Sequence, residues 1–254
     1  MTMRFGVFVP QGWRMDLVGI DPAVHWTTMF GLAQRADSGP WESIWVYDHF
    51  PTTPTPIHEA THEAWTLTAA LAARTTHGCG SVRCAPATSG GPTGAVSGGI
   101  PLWIAAAGEK VTCEDRGKVR AVHQLRRNPR RIPPEFRRKS AVLAEHCRSV
   151  GTDFGAITWS ANHNVAIGAT EKEVQERLSW IREHLTASIG ADLAERQLSG
   201  FGNLPGVGTP EQIVEKLSAL KAAGLSCAIT YFPEAAYDTS GIELFEKEVI
   251  PALQ

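Results

Sequence analysis

Short apolar runs alternate with amphipathic helical segments along most of the chain. The runs are rich in β-branched and aromatic residues, which is typical of buried parallel strands. Strand and helix in alternation predict a parallel sheet, either open or closed into a barrel, and the pattern alone favours neither. The predicted strands cover residues 4–10, 43–47, 101–106, 160–168 and 227–232.

Three helical segments carry start signals. Asp21 is a candidate N-cap followed by a proline at the first helical position, and capping boxes begin at Thr170 and Thr209. Apolar residues follow each start at helical spacing, which predicts one buried face per helix. These faces are Trp26, Met29, Phe30 and Ala33 in the first helix, Val174, Leu178, Ile181 and Leu185 in the second, and Ile213, Leu217 and Leu220, stopped by Gly224, in the third.

Two stretches break this order. Residues 77–99 are rich in Gly, Ser, Thr and Pro, and residues 113–139 hold ten Lys and Arg against three acidic residues. The basic stretch has the charge of a nucleic-acid-binding arm, but Phe136 is its only aromatic residue for stacking on bases. A solvated loop is therefore the preferred interpretation of its charge, and we expect no nucleic-acid partner.

Composition narrows the class of protein. The 254 residues are 43% hydrophobic and 20% charged, which suits one large α/β domain over residues 1–254. A net charge of -2 gives no reason to expect an anionic membrane as a partner. The N-terminal residues lack the pattern of a secretory signal, so we expect a cytoplasmic protein. The five cysteines and the histidines show no metal-ligand spacing, so no metal site is predicted.

Six segments of the chain are informative when they are taken together. They are MRFGVFVPQGW, WESIWVYDHF, HEAWTLTAALAARTT, GGIPLWIAAAGEKVT, SANHNVAIG with TEKEVQERL, and GTPEQIVEKLSALKAAGLSCAITYFPEA. Together they resemble the luciferase-like monooxygenase superfamily, and in particular its coenzyme F420-dependent oxidoreductases. The resemblance covers most of residues 3–76, 98–112 and 135–235. It implies a (β/α)8 TIM barrel that binds a deazaflavin or flavin at the carboxyl ends of its strands.

The chain departs from that barrel in the two unusual stretches. With the family as template, strand 3 begins near Val82, strand 4 has no candidate, and strand 6 falls inside the basic stretch. We therefore expect an incomplete barrel with strands 3, 4 and 6 missing or scrambled, and aberrant segments at 77–99 and 113–134. An internal deletion combined with frameshifts would explain this, because shifted codons of both segments can spell family-like strands. The coding DNA tests that hypothesis.

Asp48 and His49 directly follow the predicted strand 43–47. A side chain at the carboxyl end of a barrel strand points into the mouth, and histidine can exchange the proton that accompanies hydride transfer. Asp48 would orient the imidazole or raise its pKa. The alternative is that Asp48 caps a turn and His49 lies on the surface. Similar deazaflavin enzymes place an acidic residue and a histidine here, so the resemblance favours a catalytic pair.

The predicted cofactor-binding residues also lie at the ends of predicted strands. Free backbone N–H groups in the turn after residues 101–106 would cradle a phosphate, although an ordinary turn is an equal alternative. Aromatic residues at the ends of the first and last strands would form apolar walls, or else ordinary core. The residues are Ala107, Gly108, Glu109 and Lys110 in the turn, and Phe8, Pro10, Tyr231 and Phe232 in the walls.

The resemblance implies an oxidoreductase that transfers a hydride between reduced coenzyme F420 and an unknown organic substrate. An FMN-dependent luciferase-like monooxygenase is the alternative within the enzymes. A non-catalytic, truncated remnant of the family is the alternative from another class. The expected partner is a small-molecule substrate, and homodimer formation stays open.

Overall fold

The computed structural model describes residues 2–75, 82–84 and 132–254, which form one parallel sheet with helices packed against it. The sheet has six strands in the order β3-β2-β1-β6-β4-β5, and every neighbouring pair is parallel. The strands are β1 (Arg4–Phe8), β2 (Ser43–Val46), β3 (Val82–Cys84), β4 (Ser160–Ile167), β5 (Gly206–Gly208) and β6 (Cys227–Tyr231).

The helices follow the strands along the chain. None of the helices that the structure describes is long and apolar enough to cross a bilayer. A π-helical segment, Phe245–Val249, joins the last two helices, and single 3-10 turns lie at Phe154–Ala156 and Phe201–Asn203. The helices are α1 (Pro22–Ser38), α2 (Ala64–Ala72), α3 (Ile132–Val150), α4 (Glu171–Ile189), α5 (Ala191–Leu198), α6 (Pro210–Ala222), α7 (Ser240–Leu244) and α8 (Ile250–Leu253).

Four of the five predicted strands are present, each one or two residues shorter than its apolar run. The expected strand 3 near Val82 is also confirmed, since β3 pairs with β2. The predicted strand at 101–106 lies outside the described residues. Within the described ranges β3 and β5 are the outer strands, so the sheet is the arc of an incomplete barrel, as expected. The short β5, which the sequence pattern missed, pairs with the end of β4.

The predicted helix starts are correct. The Asp21 carboxylate accepts a hydrogen bond from the Ala23 N–H (2.9 Å), and the Thr170 hydroxyl accepts one from the Glu173 N–H (3.2 Å). The predicted buried face of α1 is partly wrong, because the Trp26 side chain is 39% exposed. Instead His25, Leu32 and Ala36 are buried beside Met29 and Ala33, which turns the buried stripe of α1 away from Trp26.

The end of the basic stretch is helical rather than an irregular loop. Helix α3 begins at Ile132 and continues to Val150, so the interpretation of residues 132–139 as a loop is wrong. Lys139, Leu143 and Cys147 recur at intervals of four and are buried, with Lys139 only 5% exposed. The many Lys and Arg residues of this stretch made the helical spacing hard to recognise in the sequence. Residues 113–131, one of the two segments to which the frameshift hypothesis applies, lie outside the described part of the chain.

Alternating strand residues divide the sheet into two faces. Phe5, Val7 and Ile44 belong to the main hydrophobic core, which includes residues of the surrounding helices. Phe8 and Tyr231 belong to a separate cluster on the opposite face, which also contains Trp45 and Ile229. Phe8 and Tyr231 are the last residues of β1 and β6, so the aromatic side chains of this second face reach the carboxyl ends of the strands.

The loop after β1 depends on a glycine. Gly12 has a φ of +89°, and a Cβ atom at this position would lie 1.9 Å from the Ala60 carbonyl oxygen. Gly19 has a similar φ of +79°, but a Cβ atom there would meet nothing within 4 Å. A comparison of the two positions therefore distinguishes the cost of a positive φ from the cost of a clash between loops.

We predict that Gly12→Ala destabilises the protein more than Gly19→Ala. Positive φ alone should cost about 1–2 kcal/mol in each variant. The additional clash with Ala60 should cost Gly12→Ala at least about 1 kcal/mol more. Urea unfolding of both variants measures this difference, and equal losses would contradict the packing role of Gly12.

Candidate functional site

Gln11 joins the loops that follow β1 and β2. Its side chain is fully buried, and its Nε2 donates to the carbonyl oxygens of Tyr47 (2.8 Å) and His62 (2.6 Å). Its Oε1 accepts a hydrogen bond from the Tyr47 N–H (2.7 Å). One amide group therefore satisfies backbone polar groups of two other segments, which fixes the position of Tyr47 at the rim of the sheet.

Four rings lie one against the next above the carboxyl ends of β1 and β2. Phe8 and Tyr47 are stacked, with their centroids 4.0 Å apart and an interplanar angle of 2°. Trp13 lies 4.1 Å from the Tyr47 ring and stacks on His49 at 4.1 Å and 8°. The sequence predicted two of these rings, Phe8 and His49, as site residues. The structure places both in one aromatic stack with Tyr47 and Trp13.

The His49 imidazole lies at the exposed end of this stack, and Asp48 beside it is also exposed. Partial burial lowers the pKa of His49, while the neighbouring Asp48 charge acts in the opposite direction and raises it. Burial dominates, so the imidazole is mainly neutral at pH 7 and is able to accept a proton. The Trp13 indole N–H donates to the Thr53 hydroxyl (2.9 Å), which orients the ring on which His49 stacks.

Asp16 and Tyr231 form a buried pair beside the aromatic stack. Asp16 is 2% exposed, and its Oδ1 accepts hydrogen bonds from the N–H groups of Gly12 (2.6 Å) and Gln11 (3.3 Å). The Tyr231 hydroxyl donates to its Oδ2 (3.0 Å). Burial raises the pKa of Asp16 and outweighs these hydrogen bonds, which lower it. Burial and the nearby Asp16 charge raise the pKa of Tyr231 as well, so the phenol stays a donor.

Arg14 brings a positive charge to the same place. Its guanidinium carbon lies 4.5 Å from the centroid of the Tyr231 ring, and its Nη1 donates to Asn164 Oδ1 (2.8 Å). Asn164 is on β4, so this contact connects the loop after β1 with the opposite side of the arc. Arg14 and Tyr231 also line a pocket together with Pro54 and Trp180. A guanidinium beside an aromatic wall suits a ligand that is flat and carries an anionic group.

Sequence reasoning missed Gln11, Arg14 and Asp16. Their only signal was position, because polar residues directly after a buried strand lie at the functional end of a parallel sheet. Pro10 is buried at the end of β1, near the predicted site. Phe232 does not join Tyr231, because it packs edge-on against Trp41 in the main core on the other face.

The predicted phosphate turn lies outside the described residues, and it comprises Ala107, Gly108, Glu109 and Lys110. Of the residues that the structure does describe, no three His, Cys, Asp or Glu side chains are placed to hold a metal ion. The catalytic roles of His49 and Asp48 stay predictions.

A second buried carboxylate, Glu234, follows β6. It is 4% exposed, and its Oε1 accepts a hydrogen bond from Arg177 Nη1 (3.1 Å). Its Oε2 is buried without a hydrogen-bond partner in the described structure. Burial is the main cause that raises the pKa of Glu234 to about 7, and the Arg177 charge only partly offsets it.

Solved structures of flavin and deazaflavin enzymes share the fold of this chain. An F420-dependent secondary alcohol dehydrogenase, solved with an F420-acetone adduct, matches with a TM-score of 0.65 and 14% identity over 100% of both chains. The coenzyme F420 dependent tetrahydromethanopterin reductase from Methanopyrus kandleri matches with a TM-score of 0.64 and 13% identity over 100% of both chains.

An FMN-containing structure matches equally well. The oxygenating constituent of 3,6-diketocamphane monooxygenase from Pseudomonas putida, in complex with FMN, gives a TM-score of 0.64 and 15% identity over 100% of this chain and 99% of that chain. No model of a protein family and no protein with a curated description matches the chain. At these identities the structural matches establish the fold, and they confirm the barrel type that the sequence resemblance predicted.

We predict that Glu234 makes stability depend on pH. Its folded-state pKa of about 7 lies above the value of 4.5 for a free glutamate, so its contribution is fully present below pH 4.5. That contribution is lost as the pH rises through 7. Relative to Glu234→Gln, the unfolding free energy of the wild type should therefore fall by up to about 3 kcal/mol between pH 4 and pH 8.

Urea unfolding across this pH range measures the difference. Glu183→Gln is the matched control, because Glu183 is exposed on α4 and this variant keeps Glu234. Its unfolding free energy should therefore follow the wild-type curve across this pH range. A wild-type curve parallel to that of Glu234→Gln would show that Glu234 titrates normally.

We also predict that Trp13 keeps the pKa of His49 low. Trp13→Ala removes the indole that covers the imidazole, so the pKa of His49 should rise toward its ordinary value. Trp13→Phe keeps an aromatic ring in the stack and should largely preserve the lowered pKa. An NMR pH titration of the His49 ring proton distinguishes the variants, and an unchanged midpoint in Trp13→Ala would contradict the prediction.

Proposed function

Because the chain has the fold of the luciferase-like monooxygenase superfamily, we propose that it is a flavin- or deazaflavin-dependent oxidoreductase. The proposed reaction is hydride transfer between reduced coenzyme F420 and a small organic substrate. The observation that supports it best is the convergence of aromatic, acidic and basic side chains at the carboxyl ends of β1, β2 and β6, where barrel enzymes carry out their chemistry.

The residues present fit such a coenzyme chemically. The stack that ends at His49 offers flat aromatic surfaces beside which a ring system binds, and Arg14 offers a charge for an anionic group. When bound, the coenzyme would supply the hydride chemistry. The protein's contribution is then to bind and orient the substrate and to move a proton.

His49 is the proposed proton-transfer residue. Its lowered pKa leaves the imidazole ready to accept a proton from a substrate hydroxyl at pH 7 or to return it in the reverse direction. Asp48 would moderate that pKa, since its charge raises it. Trp13 would hold the ring in place by stacking. Tyr231 and Asp16 would form the polar floor beside it, with the phenol as a hydrogen-bond donor.

An FMN-dependent monooxygenase is the second candidate. The structural match to the FMN-containing Pseudomonas putida protein is as close as the matches to the F420-dependent enzymes. An aromatic stack accepts either tricyclic ring system, so binding has to decide between the cofactors.

The test is fluorescence-detected binding of F420 and FMN to the purified chain, followed by turnover. We expect F420 to bind more tightly. The first turnover to test is 2-propanol with oxidised F420 as the hydride acceptor, which runs the proposed transfer in reverse, because one structural neighbour is a secondary alcohol dehydrogenase. His49→Ala should bind F420 within a few-fold of the wild type but lose about 100-fold or more in turnover, as loss of general acid–base catalysis predicts.

His146→Ala is the matched control, because His146 lies on α3, a helix that carries none of the candidate site residues, and it should retain activity. Tighter binding of FMN would favour the monooxygenase. If soluble, folded protein binds neither cofactor, the chain is a non-catalytic remnant. Full turnover by His49→Ala would leave the oxidoreductase in place but remove His49 from its mechanism.

A further inference from the structure

A groove separate from the aromatic stack runs between α4 and the loop that follows β6. Its lining includes the carboxylates Glu173, Glu176, Glu234 and Asp238 and the aromatic residues Trp180 and Tyr237. We infer that this groove binds a protonated organic amine that carries at least one N–H. The inference concerns a second site and does not depend on the proposed hydride transfer.

The buried Glu234 carboxylate calls for a donor. Arg177 Nη1 reaches its Oε1 at 3.1 Å, while Oε2 has no partner among the described residues. Leaving a carboxylate oxygen buried without a hydrogen bond costs about 1–3 kcal/mol or more. An N–H donor from a bound ammonium group removes that cost and brings a charge opposite to that of the carboxylate.

Arg177 cannot supply this missing donor as it is placed. Its Nη1 is shared between Glu234 and Asp238 Oδ2 (3.3 Å), and its Nη2 donates to the Ser240 hydroxyl (2.6 Å). Ser240 donates in turn to Asp238 Oδ2 (2.7 Å). These contacts hold the guanidinium at Oε1 and leave Oε2 of Glu234 without a donor among the described residues.

The charges of the groove favour a cation. Four carboxylates line it against the single guanidinium of Arg177. Lys172 pairs with Glu176 (3.2 Å) on the exposed surface of α4, where both side chains are largely solvated. A negative excess therefore remains around Glu234, and an ammonium group would reduce it.

The aromatic walls favour an organic cation over a metal ion. Trp180 and Tyr237 lie with their ring centroids 5.2 Å apart at an interplanar angle of 56°, and both residues line the groove beside the carboxylates. Ring faces attract ammonium groups and their attached carbons. Within the described ranges, these carboxylates are not arranged to ligate a metal.

The groove adjoins the candidate functional site through a shared residue. Trp180 lines both this groove and the pocket formed by Arg14 and Tyr231. Trp180 also stacks on His184, whose Nε2 contacts the Met15 carbonyl oxygen (2.7 Å) in the loop after β1. A bound amine would therefore contact a ring that borders the candidate functional site.

Two small probes test the inference because they differ in a single group. Trimethylammonium carries one N–H, whereas tetramethylammonium carries a methyl group in its place. Protein labelled with 15N at tryptophan is titrated with each chloride salt at pH 8, with sodium chloride at equal ionic strength as the baseline. The Trp180 indole signal is assigned by its loss in Trp180→Phe.

We expect a saturable shift of the Trp180 signal with trimethylammonium and at least tenfold weaker binding of tetramethylammonium. Glu234→Gln should weaken trimethylammonium binding at least tenfold, whereas Glu183→Gln, a control on the exposed side of α4, should leave it unchanged. Equal response to both ammonium ions, or a shift that sodium chloride reproduces, would overturn the inference. The comparison of probes needs no substitution, so it stands even where Glu234→Gln fails to fold.

Discussion

The rest of the candidate site depends on the buried amide of Gln11. Its Nε2 donates to the carbonyl oxygens of Tyr47 and His62, and its Oε1 accepts a hydrogen bond from the Tyr47 N–H. The loops after β1 and β2 leave the sheet as separate segments, and each exposes backbone groups that must be satisfied away from water. One side chain meets that requirement for both loops, so the rings of Tyr47, Trp13 and His49 are held in contact.

A second constraint is the burial of Asp16 beside those rings. Asp16 is buried, so its charge is unfavourable there unless hydrogen-bond donors surround it, and the Tyr231 hydroxyl and the Gly12 N–H are such donors. Gly12 can bring its N–H to the carboxylate only because it lacks a side chain where the loop passes Ala60. Backbone conformation, hydrogen bonding and electrostatics are therefore coupled within a few residues after β1.

The same coupling distinguishes the two carboxylates that the fold buries near the strand ends. Asp16 has partners for both of its oxygens, whereas Glu234 has a partner for only one. A fully satisfied carboxylate stabilises a fixed arrangement, and a half-satisfied one marks a position where a ligand would be favourable. This difference is why we assign Asp16 to the framework of the site and Glu234 to ligand binding.

The sequence by itself determined the local elements and their order. Short apolar runs located β1, β2, β4 and β6, because a strand buried on both faces needs apolar residues throughout. Capping residues located the helix starts, since the first N–H groups of a helix must bond nearby side chains. The resemblance of six segments indicated the barrel type, and the position of Asp48 and His49 after β2 followed from the same pattern.

Only the tertiary structure decided which side chains meet. The buried stripe of α1 turned away from Trp26, and Phe232 separated from Tyr231, because neighbouring elements select the packed face. Helix α3 begins inside the charged stretch and continues beyond it. The buried side chains of Leu143 and Cys147 pack its inner face. The contacts of Gln11, Arg14 and Asp16 join residues distant in the chain, and such pairings have no local signature because they arise only when parallel strands bring their carboxyl ends together.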